Sequence, residues 1–101
     1  STRVPAPEQR MAVRHRLKPL DVNETGELIL HRLRVAGYTA ETSPFTPDAL
    51  YELHKHAQGT PRLISQLADN ALLVGMAQKA KCIDGFLMHG VVQEFIGAEA
   101  A

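Results

Sequence analysis

The residues best suited to chemistry are four in a row: Gly59, Thr60, Pro61 and Arg62. Gly59 suits the end of one helix, Thr60 the N-cap of the next and Pro61 its first position, which predicts that Arg62 lies in the first turn. Unpaired N–H groups and the macrodipole already make that end of a helix positive, which favours an acidic side chain there. An arginine at this position indicates either a solvated side chain or, together with the helix end, a contact to a phosphate-bearing ligand.

Motifs for self-sufficient catalysis are missing from the sequence. No glycine is followed by lysine as a phosphate loop requires, a single cysteine cannot build a zinc site, and no strand–turn–helix pattern presents a serine nucleophile. The five histidines are scattered, and even the close pair His54 and His56 is spaced to face different sides of a helix. We therefore expect no metal site and no catalysis by this chain alone.

The composition is typical of one small helical domain. A chain of 101 residues buries one modest core, and its mixture of Leu, Ala, Ile and Val with Arg, Glu, Gln and His suits a helical bundle. No apolar run is long enough to span a bilayer and no secretory signal opens the sequence, which predicts a cytoplasmic protein. The single Cys82 is expected to be reduced and to serve packing.

Capping signals and apolar spacing predict four helices. The predicted ranges, each with its N-cap, are 24–36 behind Asn23, 47–57 behind Thr46, 61–79 behind Thr60 and 85–96 behind Asp84. The third helix has the widest apolar stripe, which marks it as the central one. The predicted fold class is therefore all-α, a small four-helix bundle.

The N-terminal segment has a different character. The formal net charge is zero, yet residues 1–20 carry five basic side chains against one glutamate. The stretch 11–17 alternates apolar and polar residues as an extended strand does, but no second strand follows with which it could pair. This basic arm is either solvated or in contact with phosphate or an acidic surface. We expect an extended segment and linker over 1–22, loose in the isolated chain, a helical domain over 23–97 and a frayed tail over 98–101.

Seven short motifs follow one another along the chain: LKPL (17–20), ET (24–25), HRL (31–33), AG (36–37), FTPDAL (45–50), GTPRLI (59–64) and LADNALL (67–73). This ordered series resembles the C-terminal lid subdomain of AAA+ ATPases over roughly residues 10–96. Within that superfamily the chain is most similar to general-secretion-pathway ATPases of the ExeA/GspA kind and to their relatives in transposition. The resemblance implies a lid-type bundle that couples nucleotide state to conformational change.

The resemblance also implies roles for particular residues. In the family the Gly-x-Pro-Arg arginine is sensor 2, which reaches from the lid to the phosphates of the nucleotide, and Arg62 is the matching residue. The implied cofactor is ATP with magnesium, bound mainly by a core domain outside these 101 residues, with Gly59, Thr60, Pro61 and Arg62 contributing from the lid. Arg10 lies near the place where related ATPases carry an arginine that acts on a neighbouring subunit's nucleotide, and residues 11–17 resemble the last strand of the core.

The partners implied in this way are the ATP-binding core of the same chain, further copies in a homo-oligomer, and proteins of secretion or transposition machinery. Two other functions remain open. A helix-turn-helix that binds DNA would read bases with the polar face of the third helix, although that helix has few cations. Its reading residues would be Arg62, Ser65, Gln66, Asp69 and Asn70. A protein-interaction bundle would instead dock a partner on the exposed part of the apolar stripe.

Overall fold

The structure, a computed structural model, describes residues 18–100. Four α-helices follow one another there: α1 Val22–Val35, α2 Pro47–Ala57, α3 Pro61–Gln78 and α4 Gly85–Ala100. The predicted all-α bundle is confirmed for this part of the chain. No helix within it is both long and apolar enough to cross a membrane. The predicted extended stretch 11–17 and Arg10 lie outside the described residues.

Helix α1 begins two residues earlier than the sequence predicts. Its N-cap is Asp21, whose carboxylate accepts a hydrogen bond from the Glu24 N–H at 2.8 Å, while the Glu24 carboxylate accepts one from the Asp21 N–H at 3.0 Å. This reciprocal capping box satisfies two N–H groups, whereas Asn23 alone would satisfy one. The prediction of Asn23 as the cap is therefore wrong. Just before this cap, the Leu20 side chain belongs to the core.

The starts of the next helices follow the prediction more closely. The Thr46 hydroxyl accepts a hydrogen bond from the Ala49 N–H at 3.2 Å and Pro47 is the first residue of α2. The Asp84 carboxylate likewise accepts one from the Leu87 N–H at 2.9 Å at the start of α4. Helix α4 then continues to Ala100, so the fraying predicted from residue 98 is not seen in the described part. Alanine and glutamate after Gly97 are good helix formers and extend it.

The core lies where α2, α3 and α4 meet, and α1 covers α2 and α3 on one side. Its largest fully buried side chains are Ile29, Leu53, Ile64, Leu67, Met88 and Val92. Helix α3 contacts all three other helices, as expected for a central helix, but α2 does so as well and makes its most extensive contact with α4. The centre of the bundle is thus the pair α2 and α3 rather than α3 alone.

A short backbone bridge fastens the start of α2 to the connection between α3 and α4. The Thr46 N–H donates to the Ile83 carbonyl at 2.9 Å and the Ile83 N–H donates to the Pro44 carbonyl at 2.8 Å. Since alternate residues of an extended segment face opposite sides, burial of Ile83 leaves its neighbour Cys82 exposed. The expectation that Cys82 serves packing is therefore wrong.

Candidate functional site

The turn between α2 and α3 has two residues in the left-handed region. Gln58 has φ of 54° and Gly59 has φ of 75°, after which Thr60 is extended and α3 begins at Pro61. The positive φ predicted for Gly59 is confirmed, because this turn reverses the chain just after the last helical residue. Gln58 shares this conformation although it has a side chain, and its N–H donates to the His54 carbonyl at 2.8 Å.

Gly59 is buried against the connector that enters the bundle. A Cβ at this position would lie 2.5 Å from the Leu20 carbonyl oxygen and 2.6 Å from both the Leu20 nitrogen and the Pro19 Cβ. The Leu20 N–H donates to the Gly59 carbonyl at 3.0 Å, and His54 Nε2 lies 2.9 Å from the Leu20 carbonyl oxygen. The sequence indicates only the tolerance of glycine for the turn. It contains no signal for this packing or for the contact made by His54.

The unpaired N–H groups make the first turn of α3 partly positive, and neither a side-chain cap nor an acidic residue of that turn offsets this charge. Thr60 occupies the N-cap position, as predicted, but its hydroxyl makes no capping hydrogen bond. Pro61 has no N–H, so the backbone donors of this turn begin with Arg62 and Leu63. The first turns of α1 and α2 each contain an acidic residue, whereas that of α3 contains none. This helix end is chemically suited to an anion.

Arg62 differs from the other two arginines among residues 18–100 in having no hydrogen-bond or ion-pair partner there. It is exposed and makes no hydrogen bond or ion pair within residues 18–100. Arg32 donates to both carboxylate oxygens of Asp69, at 3.1 and 3.3 Å, and Arg34 donates to three backbone carbonyls of residues 38–41. No group within residues 18–100 therefore engages the guanidinium donors of Arg62.

A shallow depression beside the site is unsuited to phosphate. Its lining residues are Leu20, Glu24, Glu27, Leu28, His31 and Pro61. Two carboxylates at its wall repel an anion, and Arg62 does not line it. Among residues 18–100, no cluster of three or more His, Cys, Asp or Glu side chains is placed to bind a metal. Among the described residues, Arg62 and the start of α3 are therefore better suited to an anion than this depression is.

The polar face considered for DNA reading is only partly available. Gln66 and Asn70 are exposed, but Ser65 is half-buried and Asp69 is engaged by Arg32. Within Pro61–Gln78, Arg62 is the single basic residue. A helix that approaches DNA phosphates normally carries a basic footprint, so no observation favours this alternative.

A carboxylate with two histidines joins α2 to α4, and the sequence interpretation does not include it. Glu52 Oε2 lies 2.7 Å from His89 Nδ1 and 3.3 Å from His56 Nε2, and Lys55 Nζ is 3.9 Å from Oε1. The hydrogen bond from His89 lowers the pKa of Glu52, with the positive charge of Lys55 acting in the same direction against partial burial. The i,i+4 spacing of Glu52 and His56 signals their pair. The contact with His89 depends on packing and has no sequence signal.

Comparison with known proteins gives one informative similarity. The chain is 39% identical over 70 residues to General secretion pathway protein A of Aeromonas hydrophila. The aligned region covers 69% of this chain and 12% of that protein, so the chain spans a small part of its relative. No protein-family model matches the sequence. No solved structure matches the chain. The chain is therefore related to one region of a general secretion pathway protein.

Proposed function

We propose that this chain is the helical lid of an AAA+ ATPase of the general-secretion-pathway kind and that Arg62 is its sensor 2 arginine. The observation that carries the proposal is the state of Arg62: exposed, unpaired within residues 18–100, and in a helix turn that has no acidic residue. The similarity to General secretion pathway protein A supports this choice of ATPase.

The chemistry of phosphoryl transfer suits such an arginine. Charge redistributes over the terminal phosphates during the reaction, and a planar guanidinium can donate two parallel hydrogen bonds to phosphate oxygens while it neutralises that charge. The N–H groups at the start of α3 add partial positive charge at the same place. A cation carried by a lid also links the presence of the phosphate to lid closure. Arg62 thus couples nucleotide state to the position of the bundle.

The rest of the nucleotide site belongs to other chain segments. ATP and its magnesium ion would be bound mainly by an ATP-binding core of the same polypeptide, with Gly59, Thr60, Pro61 and Arg62 contributing from the lid. Arg10, outside the described residues, is a candidate for acting on the nucleotide of a neighbouring copy. The proposed partners are this core, further copies in a homo-oligomer, and cytoplasmic proteins of secretion or transposition machinery.

The test is steady-state ATP hydrolysis by the full-length protein. Arg62→Ala should lower turnover by roughly one to three orders of magnitude, the scale for removal of a preorganised charge-stabilising group, with a smaller change in ATP affinity. Arg62→Lys should restore only part of the rate, because an ammonium cannot replace the planar fork. The matched control is Lys81→Ala, which removes another exposed cation far along the chain and should leave hydrolysis unchanged.

The melting temperature is measured beside the rate. It should stay constant in Arg62→Ala, because no described contact is lost and the unfavourable charge at the start of α3 is removed. Normal folding with unchanged turnover would refute the sensor 2 assignment. Sequence-specific, salt-dependent DNA binding that disappears in the same variant would instead support the helix-turn-helix function.

A further inference from the structure

The connector residue Leu20 is held at three points. Its N–H donates to the Gly59 carbonyl at 3.0 Å, its carbonyl accepts a hydrogen bond from His54 Nε2 at 2.9 Å, and its side chain is only 8% exposed. The next residue, Asp21, is the N-cap of α1. Both backbone polar groups of Leu20 are therefore hydrogen-bonded to the α2–α3 region, and its backbone is part of the bundle.

The Pro19–Leu20 connector packs directly against the α2–α3 turn at Gly59. Any side chain at Gly59 would collide with backbone atoms of Leu20 and with Pro19. Backbone atoms cannot rotate away as the end of a flexible side chain can, so the contact fixes the distance between connector and turn. Arg62 follows this turn directly, at the second position of α3.

We propose that His54 and Gly59 are positioning residues that lock the Pro19–Leu20 connector to the turn carrying Arg62. The path by which the chain enters the bundle then sets the position of the guanidinium. Any movement of the bundle would therefore carry Pro19 and Leu20 along with α2 and α3. This inference rests on the proposed function for its effect on ATP, but the lock itself does not.

The lock is tested first in the 101-residue chain, by amide hydrogen exchange resolved by NMR. The Leu20 amide should exchange about tenfold faster in His54→Leu, since loss of one hydrogen bond weakens the anchor by about that factor. His54→Gln keeps an amide donor near the Nε2 position and should restore most of the protection. His56→Leu, on the same helix but without contact to the connector, is the matched control and should leave the Leu20 amide unchanged.

The second arm is ATP hydrolysis by the full-length protein. His54→Leu should lower kcat with little change in KM, and it should have no further effect in an Arg62→Ala background, because His54 acts through Arg62. A purely structural role predicts additive losses instead. His54→Gln should restore kcat in parallel with the protection of the Leu20 amide.

The exchange experiment and the hydrolysis assay together show which proposal is wrong if a result differs from expectation. Equal Leu20 exchange in wild type and His54→Leu would overturn the lock whatever the enzyme assay gives. Faster exchange with additive losses of kcat would overturn the positioning role. Unchanged hydrolysis in Arg62→Ala would refute the proposed function, and the exchange result would then decide the lock alone.

Discussion

Replacement of Gly59 by alanine should destabilise the bundle by about 2–3 kcal/mol. For a residue with a Cβ, the left-handed region that Gly59 occupies at φ of 75° costs about 1–2 kcal/mol. The Cβ would also lie 2.5 Å from the Leu20 carbonyl oxygen, so the connector must move away and lose its hydrogen bond to Gly59, at about 1 kcal/mol. The two costs add because they arise from separate interactions.

Alanine variants of two other glycines serve as comparisons, because neither has a contact at its Cβ position and only one has a positive φ. Gly37 has φ of 105°, beyond the left-handed helical region, and open space where a Cβ would lie, so Gly37→Ala should show a backbone cost alone, about 1–3 kcal/mol. Gly90 lies inside α4 with no atom near its Cβ position, so Gly90→Ala should stabilise the bundle by about 0.5–1 kcal/mol through helix propensity. The part of the Gly59→Ala loss above about 2 kcal/mol, the upper value of its backbone cost, measures the contact with the connector.

Urea unfolding followed by far-UV circular dichroism gives the three free energies, provided that the m-values agree. A change in m for Gly59→Ala alone would show that the variant exposes more surface before it unfolds. The reasoning is refuted if Gly59→Ala loses less than about 1 kcal/mol, since neither the left-handed backbone nor the contact with the connector would then carry the expected cost.

Two further changes test buried and charged groups. Thr25→Val should raise the free energy of unfolding by about 1 kcal/mol, because the buried Thr25 hydroxyl has no hydrogen-bond partner among residues 18–100; a loss of stability on urea unfolding would contradict this. Glu52→Gln should destabilise the bundle at pH 7. A glutamate with a lowered folded-state pKa stabilises above its ordinary value of 4.5, so the difference from wild type should vanish as pH falls through the lowered pKa. Glu27→Gln, at an exposed glutamate of α1, is the control and should change the free energy of unfolding at pH 7 less than Glu52→Gln does.

Local chemistry explains which helix boundaries could be predicted. Thr46 with Pro47, and Asp84 before α4, are strong start signals that need no distant partner. The start of α1 differs from the prediction because two caps compete within three residues, and the reciprocal pair of Asp21 and Glu24 satisfies more N–H groups than a single asparagine. Cap strength must therefore be compared over the whole first turn.

In the candidate site, too, features set by neighbouring residues could be predicted from the sequence, whereas contacts between distant residues could not. The positive φ of Gly59 and the exposed first-turn position of Arg62 follow from neighbouring residues, so the sequence predicts both. The contact of His54 with Leu20 joins residues 34 apart, and the contact of His89 with Glu52 joins residues 37 apart. Such pairs depend on how helices pack, and helical periodicity only gives the face on which each residue lies.

The charges around α3 restrict how a nucleotide could reach Arg62. On the side of α1, Glu24 and Glu27 line the depression next to Pro61 and disfavour a phosphate there. The other arginines of the described chain are held by Asp69 or by backbone carbonyls, so they cannot help to bind it. Under the proposed function, a phosphate would therefore approach Arg62 from the side away from α1. Since no described contact holds the guanidinium, its position depends on the backbone of the turn, and the proposed contacts at Leu20 would act on Arg62 through that backbone.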